Sequence, residues 1–152
     1  MPLPSVKSRP YPSVVRVVDL PDSLTEEAVA LWHASGLTRP WNDPHEDLRR
    51  AVAGPSSTVL AALDEADLLL GTAMVGHDGH RGWVYYLAVQ PESRRSGLGR
   101  ALMQASETWL RARSVPKIHL MVRTTNRAVV AFYEALGYEN GEVVVLGKFL
   151  DG

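Results

Sequence analysis

The sequence predicts an α/β fold of the α+β kind, a mixed sheet with an antiparallel front half and a helical crossover behind it. Three observations predict it. Apolar periodicity runs in the order strand, two helices, three strands, helix, strand, helix, strand. The stretch Val84–Leu110 passes from an aromatic and β-branched run, across a loop with two glycines, into a helical period. A chain of 152 residues, 45% hydrophobic and 22% charged, is also long enough to bury one real core.

Composition excludes several functions. A net charge of −1 gives no broad nucleic-acid footprint, so no nucleic-acid partner is expected. The absence of cysteine removes disulfides, a catalytic thiol and thiolate metal sites. No apolar run approaches the roughly 20 residues of a membrane span, so no membrane role is expected and the expected compartment is the cytoplasm. Residues 1–13 are proline-rich without the apolar stretch of a signal peptide, and read as a flexible leader to a single domain over 14–152.

Val14–Val18 is the first strand, closed by Asp19 and Pro21. Ser23-x-x-Glu26 reads as a capping box for a helix with Leu24, Ala28, Leu31 and Ser35 on one face, ended by Gly36. The loop Thr38–Pro44 follows. Asp43 caps a second helix with Pro44 at its first position, Glu46 completing a box, and Leu48 and Val52 as its apolar residues. The loop itself is either a stiff connector whose Trp41 plugs the core or one wall of a binding pocket. Thr58–Leu63 and Leu68–Gly76 are strands joined by a turn over Asp64–Asp67. The polar loop His77–Gly82 holds two histidines and an aspartate. Histidine and aspartate are metal ligands, but no third histidine or glutamate motif joins the group, so no metal is expected.

Val84–Val89 is a strand stopped by Pro91. Arg94, Arg95, Ser96, Gly97, Leu98 and Gly99 lead into a helix whose apolar face carries Leu98, Leu102, Ala105 and Trp109. Lys117–Arg123 alternates as a strand, Asn126 caps a last helix carrying Val129, Phe132, Tyr133 and Leu136, and Val143–Lys148 reads as a final strand. At the start of the glycine-led helix the first N–H groups have no partner inside the helix, and the dipole is positive there. Two glycines and several arginines at that point form a cradle for phosphate. A dinucleotide fingerprint fails, because Leu102 stands where its third glycine belongs.

The pattern Arg94-x-x-Gly97-x-Gly99, after Leu87-Ala88-Val89-Gln90-Pro91, resembles the acyl-CoA pyrophosphate loop of the GNAT superfamily of N-acyltransferases. Asn126 followed by Phe132–Tyr138 resembles that family's second motif, in order and at its spacing. Arg39–Pro44, Asp78–Gly82 and Pro116–Ile118 resemble those of a small bacterial member. The resemblance implies a GNAT fold, a mixed central sheet of six to seven strands flanked by about four helices. It implies acetyl-CoA as donor and an amine, on a small molecule or a peptide, as acceptor. The oligomeric state, a homodimer included, stays open.

It also implies residue roles. Backbone N–H groups around Arg95–Gly99 would hold the pyrophosphate, with Arg94, Arg95 and Arg100 adding charge. Leu87, Ala88 and Val89 would pair with the pantetheine amides as an added strand, and an N–H near Leu87 or Ala88 would polarise the thioester carbonyl. Asn126 would touch the pantetheine arm, and Tyr133 would protonate the leaving thiolate as general acid. Relatives that acetylate peptide N-termini carry a glutamate where this chain has Met121, which takes no proton. The expected bases are instead His80 and Asp78, with His119 a further candidate. Arg39, Trp41, Asn42 and Asp43 are the expected acceptor-binding residues. A second reading is a CoA-binding sensor module without significant turnover.

Overall fold

The computed structural model describes residues 15–151, so the leader over residues 1–13 and the start of the first strand at Val14 lie outside the described residues. The described residues form two compact units, one through Leu120 and one from Met121.

The first unit is a sheet in the order β1-β2-β3-β4-β5: β1 Arg16–Asp19, β2 Ser57–Leu63, β3 Leu69–His77, β4 Gly82–Val89 and β5 Ile118–His119. The first four strands pair antiparallel; β4 and β5 pair parallel, at Gly82↔Ile118 and Trp83↔His119. The α/β mixed class holds, with five strands among the described residues rather than six to seven. The expected strand Lys117–Arg123 is reduced to two residues, and Val143–Lys148 forms no strand. Within its own unit that segment has no strand to pair with, and Val144 and Leu146 are almost fully exposed.

Helix α1 (Thr25–Ala34) is entered through a 3-10 turn over Asp22–Leu24. The expected Ser23 capping box does not form; the Thr25 hydroxyl donates instead to the Asp22 carbonyl at 2.9 Å. Helix α2 (Pro44–Ala53) starts as expected, with Asp43 accepting from the N–H groups of His45 and Glu46. Glu46 does not close a box. Its carboxylate takes Arg49 and Arg50, which hold its pKa down to about 2. Pro44, Leu48 and Ala51, not Val52, are its buried residues.

Trp32 of α1 is fully buried and lies with Leu31, Leu48, Val59, Leu63 and Ala88 in one core cluster on one face of the sheet. Helix α3 (Leu98–Arg111) covers the other face. A Cβ at Gly71 would come within 3.0 Å of Leu102 Cδ1, and one at Gly82 within 2.4 Å of Leu110 Cδ1, so these two strand glycines let α3 sit close. Its buried stripe is Leu98, Leu102, Met103, Ser106 and Leu110, rotated from the expected face through Ala105 and Trp109. Ser106 is tolerated there because its hydroxyl donates to the Leu102 carbonyl at 2.8 Å.

The second unit carries α4 (Arg127–Ala135). Asn126 caps it by accepting from Val129 N–H, and Gly137 follows its end at φ +93°.

Candidate active site

The approach to α3 is built from two left-handed residues. After a 3-10 turn over Pro91–Ser93 the chain is extended at Arg94, turns at Arg95 (φ +63°), and turns again at Gly97 (φ +83°). Gly97 is the N-cap of α3 and supplies no side chain to it. The first helical bond closes from Ala101 N–H to the Gly97 carbonyl. The N–H groups of the first turn, from Leu98 through Gly99 and Arg100, therefore point out of the helix with no side-chain cap. A Cβ at Gly97 would meet nothing within 4 Å, so the cradle opens outward. Arg94, Arg95 and Arg100 are exposed, and among the described residues none has a carboxylate partner. The Ser96 hydroxyl turns inward, donating to the Ser93 carbonyl. Fixed N–H groups, a positive helix end and three unmatched cations favour an anion.

One strand back, β4 is bulged. Its register against β3 slips between Thr72↔Ala88 and Met74↔Tyr85, and Tyr86 sits at φ +51°. A tyrosine in that region is strained, and a bulge re-aims side chains. Strict alternation would send Tyr86 to the face opposite Tyr85. The bulge keeps it on the α1 side, stacked on Trp32 with ring centroids 4.0 Å apart. Past Trp83 no described strand pairs with β4 on the β5 side, so Val84–Val89 has an open edge there.

On the α1 face a cavity of about 640 Å³ lies between α2, β3 and β4, lined among others by Asn42, Asp47, His77, Asp78, Trp83 and Tyr86. Of the four expected acceptor residues, Asn42 lines it. Asp43 is occupied in capping α2, Arg39 donates to the carbonyls of Gly36 and Thr38, and Trp41 is 60% exposed, so it does not plug the core. Asp78 lines the cavity with its carboxylate accepting from His80 N–H, Arg81 N–H and Trp83 Nε1. The two backbone donors, Arg81 first, hold its pKa down to about 2. It is therefore a lasting anion and a weak proton acceptor. His80 is exposed on the same loop and is not among the lining residues. His119 sits on β5, its ring edge-on to Trp83 at 5.1 Å. Among the described residues no three His, Asp or Glu side chains gather as a metal site.

Sequence reasoning missed Asp47, Tyr86, Trp83 and His77. Alternation along β4 already places Trp83 and Tyr85 on one face, but the bulge that adds Tyr86 leaves no local sequence signal. In the second unit Tyr133 is buried, edge-on to Phe132 and Tyr138, and burial pushes its phenol up to about 12. It stays protonated at neutral pH.

The chain matches the model of the acetyltransferase (GNAT) family over residues 23–138. It is 44% identical over 125 residues to an acetyltransferase of Pectobacterium atrosepticum, covering 82% of this chain and 88% of that one. It is 42% identical, with the same coverage, to an acetyltransferase of Yersinia enterocolitica. Its fold is similar to the aminoglycoside antibiotic 6′-N-acetyltransferase of Acinetobacter baumannii, with a TM-score of 0.74 and 19% identity over 91% of this chain and all of the other. A second aminoglycoside acetyltransferase, solved with a CoA-linked bisubstrate analogue, gives a TM-score of 0.76 at 16% identity over 90% of this chain and 99% of that one. At these identities the two structures speak for the fold alone. The family match and the bacterial relatives speak for more: the chain belongs to the acetyltransferase (GNAT) family and is an acetyl-CoA-dependent N-acetyltransferase.

Proposed function

We propose that the pyrophosphate of acetyl-CoA is held at the α3 cradle, that its pantetheine arm lies along the open edge of β4, and that the acceptor amine enters from the cavity on the α1 face. The observation that carries this reading is the uncapped start of α3, beside which Arg94, Arg95 and Arg100 have no carboxylate partner among the described residues, directly after a bulged strand that no described strand pairs with past Trp83. The backbone N–H groups of Ser96, Gly97, Leu98 and Gly99 take the phosphate oxygens. Leu87, Ala88 and Val89 pair with the pantetheine amides, and the N–H at Leu87 polarises the thioester carbonyl.

The amine nitrogen attacks the carbonyl carbon, the carbon–sulfur bond breaks, and the thiolate takes a proton from Tyr133. A thiol near pKa 8.5 is a fair proxy for that leaving group. Asn126 holds the pantetheine arm only if its carbonyl serves the α4 cap while its NH₂ faces the cofactor, and that division is part of the proposal. An alkyl amine near pKa 10.4 is neutral only about once in a few thousand at pH 7, so a base matters. Asp78 is held too acidic to serve well, which leaves His80, through water, and His119, whose ring lies against the cavity-lining Trp83, as the bases. Asp78, Asp47 and the aromatic wall of Trp83, Tyr85 and Tyr86 suit a cationic acceptor. Asn42 contributes to the acceptor side from the cavity lining, and Arg39, Trp41 and Asp43, its neighbours in the chain, belong to the same proposed acceptor loop.

Within the family, the stretches Arg39–Pro44, Asp78–Gly82 and Pro116–Ile118 resemble the small bacterial acetyltransferase YpeA. The family match crosses the divide after Leu120, which supports reading residues 14–152 as one domain. No described helix is long and apolar enough to cross a membrane, in keeping with a cytoplasmic setting. A thiol-release assay with acetyl-CoA and a panel of amines tests the proposal. Amine-dependent release of CoA is expected. Tight acetyl-CoA binding with no release on any amine would favour the sensor reading instead.

A further inference from the structure

Tyr86 holds a backbone conformation that costs on the order of 1–3 kcal/mol for a residue other than glycine, so its surroundings must enforce it. Three contacts do so, each from a different element. The ring stacks on Trp32 of α1, which is fully buried. The Tyr86 carbonyl accepts from the Thr72 hydroxyl of β3 at 2.9 Å, and that hydroxyl in turn accepts from Trp32 Nε1 at 2.8 Å. The phenol donates to Asp47 Oδ2 of α2 at 2.7 Å. The first two contacts are inside the core. The third reaches the cavity, which both residues line, and among the described residues Asp47 Oδ1 has no hydrogen-bond partner.

We propose that Asp47 and Tyr86 are positioning residues for acetyl transfer. Their hydrogen bond fastens the β4 bulge from the acceptor side and so fixes the N–H of Leu87, the next residue in the chain. This rests on the reading that the thioester carbonyl is polarised there. A bond between a phenol and a carboxylate is charge-assisted, and it ties the bulge to the helix that walls the cavity. An ammonium arriving at the open Oδ1 would meet the same carboxylate that sets the bulge.

A role confined to holding α2 on the sheet predicts lost stability alone, so the test reads the bulge and the reaction separately in the full chain. Amide hydrogen exchange is followed at Tyr86, Leu87 and Ala88, and acetyl transfer from acetyl-CoA is followed with 1,4-diaminobutane as the probe amine. Tyr86→Phe keeps the ring stack and deletes the bond. Asp47→Ala deletes it from the other side, and Asp47→Asn keeps an oxygen to accept it. Exchange at Ala88, which pairs with Thr72 at the edge of the bulge, should speed up about tenfold or more in Tyr86→Phe and in Asp47→Ala. In the same two variants kcat should fall about ten- to a hundredfold with the acetyl-CoA KM little changed. Asp47→Asn should recover most of both. Exchange at wild-type rates in Tyr86→Phe overturns the proposal, as does faster exchange with kcat intact. If the bulge responds as expected but the wild-type chain transfers acetyl to no amine, it is the acetyl-transfer reading that fails, and the clamp stands.

Discussion

Asp43 and Asp78 look alike in the sequence, each an aspartate in a polar loop beside a helix or strand start. In the structure both spend their carboxylates on backbone N–H groups, Asp43 at the start of α2 and Asp78 across its own turn. The difference is that Asp78 also lines the cavity. Its carboxyl, normally near 3.8, is held at about 2 by the donors from Arg81 and His80. A depressed folded pKa stabilises the folded state at pH above about 4, and that contribution is lost as pH falls through about 2. Thermal midpoints of wild type and Asp78→Asn should therefore differ at pH 5 and converge towards pH 2; parallel curves would detach the carboxylate from the turn. At Tyr133 the expected result is kinetic. Tyr133→Phe keeps the packed ring and removes one hydroxyl, so turnover should fall roughly ten- to a thousandfold while acetyl-CoA affinity holds. Pre-steady-state kinetics would show whether the chemical step is the one slowed.

The elements show what a sequence carries and what it does not. Asp43-Pro44 signals the start of α2 because capping is local chemistry, completed within three residues. Gly97 signals the cradle for the same reason, since a left-handed N-cap is a property of one residue. The Ser23 box fails because a 3-10 turn occupies the place where the helix was to begin. The stripe of α3 is rotated because Gly71 and Gly82, far away in sequence, decide where the helix can approach. The bulge at Tyr86 was illegible because its causes, Trp32, Thr72 and Asp47, lie on three other elements. The cradle also gives a prediction for its element. Gly97→Ala puts a Cβ on a residue at φ +83° and should cost about 1 kcal/mol of stability. Gly97→Val adds bulk where the phosphate would approach, and acetyl-CoA affinity should fall at least about tenfold, near 1.4 kcal/mol. Calorimetric titration of the folded variants separates the two effects.

For the whole molecule the order of elements was legible and the sheet's far side was not. Alternation predicted strands at Lys117–Arg123 and Val143–Lys148, yet a strand exists only where a neighbour accepts its hydrogen bonds, and β5 pairs over two residues. A co-substrate that binds only the folded chain should raise its stability by mass action. At acetyl-CoA one hundred times its Kd the gain is about 2.7 kcal/mol, readable as a rise in the thermal midpoint that free acetate does not reproduce.

The open edge of β4 has one more effect, on solubility. Among the described residues, no strand pairs with Val84–Ala88 on that side, along a stretch with no lysine or proline to discourage pairing. Without a ligand alongside, such an edge is a template for any extended chain, a second copy included. Acetyl-CoA would cap it. Concentrated protein should accordingly scatter more light on warming when the co-substrate is absent, and Leu87→Lys, which charges the edge without touching its backbone, should quieten the ligand-free sample.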